Sequence, residues 1–96
     1  MATRLGGKLH RGVGMDRKLI DQHIEQNPHR PGVSEARLVG YCVPVWAIIG
    51  YFEAVHGDEG RTAEDYDVPI EAVQAAVAYY KLHKTRIDAR PAANAA

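Results

Sequence analysis

Two prolines and a glycine partition the second half of this chain so firmly that only helices of set length fit between them. Pro44 stands at an allowed first-turn position, and Val45, Ile48, Ile49, Phe52 and Val55 follow at helical spacing until Gly57 ends the pattern. Asp58 to Arg61 reads as a tight polar connection. Thr62 is placed to cap a short second helix through Tyr66, with Asp65 completing an approximate capping box. Asp67 and Val68 then make a turn, and Pro69 suits the first residue of a third helix. Along that helix Ile70, Val73, Val77 and Tyr80 recur on one face, and Lys84 and Ile87 continue it. A short helix, a turn and a longer helix form the helix-turn-helix layout.

The first half is less regular. Residues 1–18 carry Gly6, Gly7, Gly12 and Gly14 and read as a flexible basic arm, with Arg4, Lys8, Arg11, Arg17 and Lys18 against Asp16 alone. Leu19 to Ile24 suits either a strand or one helical turn. Asn27, Pro28, Pro31, Gly32 and Ser34 mark a loop. Ala36 to Val43 has the composition of a strand, with Gly40 at a bulge or turn. The expected organisation is therefore a strand region over 19–43, a helical region over 44–90, and a disordered tail over 91–96. A hairpin of two short strands is marginal alone in water, so the strand region is expected to pair with a second copy.

At 96 residues the chain suits one small domain with a thin core. The longest apolar stretch, Cys42 to Ile49, is too short for a membrane span and already contains Pro44, and the first residues lack the apolar core of a secretory signal. Cys42 is the single cysteine, which excludes an internal disulfide and a cysteine-based zinc site. These features fit a soluble domain in a reducing cytoplasm.

Catalytic chemistry finds no footing. Ser34 has no adjacent histidine and acid, and Cys42 sits in an apolar run that suits a buried, inert thiol. His10, His23, His29, His56 and His83 are scattered without ligand spacing, so no metal and no cofactor is expected. Asp58, Glu59, Glu64 and Asp65 lack EF-hand spacing, and the glycines near the start lack the context of a phosphate-binding loop.

Three segments resemble a known family. The run Arg37-Leu38-Val39-Gly40-Tyr41-Cys42-Val43-Pro44-Val45 resembles the "G-T-R-I-P-V" segment of the domain-of-unknown-function 433 family. Thr62 to Val68 is similar to the segment preceding that family's last helix, Glu71 to Tyr80 to the helix itself, and Ile87-Asp88 to its close. The likeness spans about residues 19–90. It implies a VapB-type antitoxin of prokaryotic toxin–antitoxin systems, mainly α, with a homeodomain-like three-helix helix-turn-helix unit preceded by a short β-strand region. It further implies a homodimer that neutralises a PIN-like nuclease toxin and represses its own operon. Tyr41-Cys42 departs from the pattern, standing where the family commonly has Thr-Arg.

Lys and Arg match Asp and Glu twelve to twelve, but unevenly along the chain. Residues 44–71 hold Glu53, Asp58, Glu59, Glu64, Asp65, Asp67 and Glu71 against Arg61. The start of the third helix, where a recognition helix meets base edges, offers only Gln74 as an attractive reader. Phosphate contacts are expected from Arg61, Lys81, Lys84 and Arg86, and from Arg4, Lys8 and Arg11 of the arm. Trp46, Tyr79 and Tyr80 are the aromatic candidates for a protein partner. Tyr79 and Tyr80 lie about 100° apart on a helix, so both cannot point into one narrow core face. The competing reading is a dimeric protein-interaction adaptor without a DNA role.

Overall fold

The computed structural model describes residues 16–89. A helix running through residue 23 (α1) leads into β1 (Ile24–Glu25), a single 3-10 turn (Val33–Glu35) and β2 (Arg37–Leu38). Four further helices follow: α2 (Val45–Ala54), α3 (Glu59–Tyr66), α4 (Ile70–Leu82) and α5 (Lys84–Asp88). The described fold is mainly helical with one short two-stranded sheet. No helix among the described residues is long and apolar enough to cross a membrane.

The punctuation expected from the sequence is present, with shifts that have local causes. Pro44 and Pro69 both sit just outside their helices as extended N-caps, at ψ 147° and 148°. Helix α3 begins earlier than Thr62 because Asp58, not Thr62, is its cap: the Asp58 carboxylate accepts the Arg61 backbone N–H at 2.9 Å. Thr62 is fully buried one turn on, its hydroxyl donating to the Asp58 carbonyl at 2.8 Å. Replacing Asp58 with Ala should therefore cost about 1 kcal/mol, seen as a lowered thermal midpoint. An unchanged midpoint would mean that water caps α3 equally well.

Both turns that flank α3 place a non-glycine residue in the left-handed region. At the end of α2, His56 adopts φ 58°, with Gly57 N–H donating to the Phe52 carbonyl and His56 N–H to that of Glu53. At the end of α3, Asp67 adopts φ 56°, with Val68 N–H donating to the Ala63 carbonyl and Asp67 N–H to that of Glu64. Both are Schellman closures, and Val68 and Ala63 supply the accompanying apolar contact in the core.

The strand region departs from expectation in three respects. Residues 16–18 already belong to α1 rather than to an arm, and of the two readings open for Leu19 to Ile24 the helical one holds through residue 23, with β1 beginning at Ile24. The second strand is only Arg37–Leu38, because Gly40 (φ 84°) and Cys42 (φ 57°) fold the following residues into a turn, so that the Leu38 N–H donates back to the Val43 carbonyl. Cys42 is consequently exposed, not buried. The two strands pair with each other: β1 and β2 are antiparallel, with Ile24 opposite Leu38 and Glu25 opposite Arg37. An Arg37–Glu25 ion pair at 2.8 Å crosses the ladder.

Helix α4 is the centre of the molecule, touching α2, α3, α5 and β1. Ala72, Val73, Ala75, Ala76, Ala78 and Tyr79 are all buried, so apolar contact wraps most of its circumference instead of following one stripe. The alanines let neighbouring elements approach on several sides. Ile70, expected on the core face, is 40% exposed at the helix start. Leu38, Val45, Ile48 and Val73 form the inner core, and Ile87 closes it from α5.

Candidate functional site

Helices α3 and α4 and the Asp67–Pro69 turn make an acidic corner. Asp58, Glu64, Asp65, Asp67 and Glu71 are exposed on it, with Glu59 half-buried. Its one cation is engaged: Arg61 pairs with Asp65 at 3.6 Å, and the Tyr51 hydroxyl donates to the same carboxylate. The Tyr51 hydroxyl is raised above its ordinary pKa, first by this bond to Asp65, and contact with Tyr51 likewise raises the Arg61 guanidinium. Arg61 is therefore part of an exposed cluster with Asp65 and Tyr51.

Gln74 is similarly occupied. It is half-buried, and its side-chain amide donates to the Glu59 carboxylate at 3.1 Å, tying α4 to α3. One N–H of the Gln74 amide is thus held by Glu59, which leaves its second N–H and its carbonyl oxygen for any further contact.

The remaining cations gather at the opposite end of α4, about 16 Å along the helix axis from its first turn. Lys81, Lys84 and Arg86 are all exposed there. Lys84 is bound to Asp88 at 2.6 Å and lies 5.6 Å from the centroid of the Tyr80 ring. Its ammonium, followed by the Tyr80 hydroxyl, holds the Asp88 carboxyl below its ordinary pKa. Lys81 and Arg86 have no carboxylate partner among the described residues. Sequence reasoning missed Arg17, which it assigned to the arm: Arg17 and Lys81 line one groove with Asp16, Ile20, Ala78 and Leu82. Arg4, Lys8 and Arg11 lie outside the described residues.

The three aromatic candidates separate. Tyr79 is only 5% exposed, and its hydroxyl donates to the Val33 carbonyl at 2.9 Å, so its assignment to a partner surface is corrected to the core. Burial is the main cause that raises its pKa. Tyr80, one position on, turns outward enough to donate to Asp88 at 2.7 Å. With Trp46 it lines a groove of about 280 Å³ between α2, α4 and α5, together with Ile49, Gly50, Glu53, Ile87 and Asp88. Gly50 and Glu53 were not singled out from the sequence. Their signal was the placement of Trp46, Gly50 and Glu53 at i, i+4 and i+7, one face of α2.

Among the described residues, no group of three or more His, Cys, Asp or Glu is arranged to hold a metal ion. Comparisons with known protein families, curated proteins and solved structures find no match to this chain.

Proposed function

We propose that this chain is an antitoxin-like regulator whose principal act is to bind and neutralise a nuclease of the PIN-like class. The observation that carries the reading is the segregation of charge on the helical unit. A nuclease binds phosphates and so presents a basic substrate groove, to which the acidic α3–α4 corner is electrostatically complementary. The same corner repels DNA, which places protein binding ahead of nucleic-acid binding. The three segments resembling the domain-of-unknown-function 433 family fall in order on β2 to the start of α2, on α3 with its turn, and on α4, which supports the reading. Within it, α2 to α4 form the homeodomain-like helix-turn-helix unit, the chain acts as a cytoplasmic homodimer, and exposed Val39 and Tyr41 are candidates for the dimer contact.

Operator binding is assigned to the other end of α4, through Arg17, Lys81 and Arg86, with Arg4, Lys8 and Arg11 of the N-terminal segment. Replacing Lys81, Lys84 and Arg86 together with Ala should reduce DNA affinity and lower the slope of log K against log salt by about 2, since Lys84 already has a carboxylate partner. Unchanged affinity in that variant would sink the basic end as a DNA surface.

Co-expression with the product of the adjacent gene tests the main reading. A co-purifying protein whose nuclease activity is suppressed supports it. A neighbour that neither binds nor harms the cell alone would overturn it in favour of a protein-interaction adaptor without a DNA role.

A further inference from the structure

We infer that the groove between α2, the end of α4 and α5 is a docking site for an arginine side chain presented by a partner protein. Two aromatic side chains, Trp46 and Tyr80, line it, Ile49 and Ile87 give it apolar contact, and Glu53 and Asp88 bring negative charge. Asp88 is satisfied internally by Lys84 and Tyr80. The Glu53 side chain is exposed and has no hydrogen-bond or ion-pair partner among the described residues. The groove therefore offers one uncompensated carboxylate beside aromatic surface, a combination that selects a cation with a flat, polarisable face.

Gly50 keeps the α2 wall of the groove open. A glycine weakens a helix interior relative to alanine. A Cβ built at Gly50 meets nothing within 4 Å, so no contact within the described chain requires the missing side chain. The opening created there lies on the groove side of α2. Arginine fits better than lysine, because its guanidinium stacks on aromatic faces and forks onto a carboxylate. The chain already brings a cation to one of these rings, with Lys84 Nζ 5.6 Å from the Tyr80 centroid. The inference rests on the proposed protein-binding role only for the source of the arginine.

Trp46 is the single tryptophan, so its emission reports on the groove directly. The full chain would be titrated with acetyl-Ala-Arg-Ala-amide and with the same peptide carrying neutral citrulline. The arginine peptide should change Trp46 emission saturably, with affinity about 2–5-fold above that of the citrulline peptide. Glu53→Gln should erase that preference, and Gly50→Leu should abolish the response while circular dichroism stays unchanged. Equal titrations by the two peptides, or a preference that survives Glu53→Gln, would overturn the site. Tighter peptide binding after Arg4→Gln and Arg11→Gln would identify the chain's own arginines as the occupant and overturn the partner assignment. If Gly50→Leu and Glu53→Gln still capture the nuclease at full strength, the docking inference fails while the antitoxin reading stands. If the unaltered chain captures no partner, that reading fails and the peptide titration still decides the groove.

Discussion

Val73→Asp should abolish the fold at neutral pH. Val73 is fully buried in α4, the helix that α2, α3, α5 and β1 all touch, and it sits among apolar neighbours that offer a carboxylate no partner. Burying an unpaired charge costs several kcal/mol even after relaxation, and losing the valine packing adds to this. A domain of this size has about 5–10 kcal/mol in total, so the variant should give a far-UV spectrum without cooperative melting. The pH dependence provides a second readout. A buried carboxyl has a folded pKa above its unfolded value, so the folded state binds the extra proton and stability rises as pH falls through the folded pKa. Relative to the unaltered chain, Val73→Asp should regain structure toward acid. Val77→Asp should be milder, because Val77 is only partly buried. Equal, small losses in both variants would show that α4 is not the packing centre.

Tyr79→Ala should rank next, at about 3–5 kcal/mol for loss of a buried aromatic side chain. The Tyr79 ring lies against His83 at 4.5 Å between centroids, and its hydroxyl reaches Val33, far away in sequence. Tyr79→Phe separates the two contributions. It keeps the ring and removes one hydrogen bond, and the Val33 carbonyl still accepts the Ala36 N–H at 3.4 Å. The expected cost is therefore about 1 kcal/mol. Urea denaturation of the two variants measures both terms. A phenylalanine variant as damaged as the alanine one would mean that the hydroxyl, not the ring, secures the 3-10 turn.

The helical half was legible because proline and glycine act through backbone sterics that do not depend on tertiary context. Pro44 and Gly57 bracketed α2, and Pro69 set the start of α4, to within a residue or two. The third helix, read as running on to Ile87, is instead broken at His83 into α4 and α5, with no proline or glycine to mark the break. The start of α3 was misplaced because Asp58 and Thr62 are both competent caps, and only the folded chain shows which one meets an open N–H. The strand region was less legible, since Ala36 to Val43 has strand composition throughout. Its early end depends on Cys42 accepting a left-handed conformation, which no residue preference would suggest. Charge was readable as counts but not as availability. Arg61 and Gln74 looked free in sequence, yet Asp65 and Glu59 bind them in the fold, and Tyr79 could be told from Tyr80 only once the direction of Val33 was known.

The break at His83 lets α5 turn back onto the 3-10 turn at Val33–Glu35, and Ile87, 3% exposed, completes a core whose other members come earlier in the chain. Synthesis proceeds from the N-terminus, so α2, α3 and most of α4 leave the ribosome before the residue that seals them. A chain stalled before residue 87, or cut by a protease just ahead of it, should therefore lack the side chain that closes this core from α5.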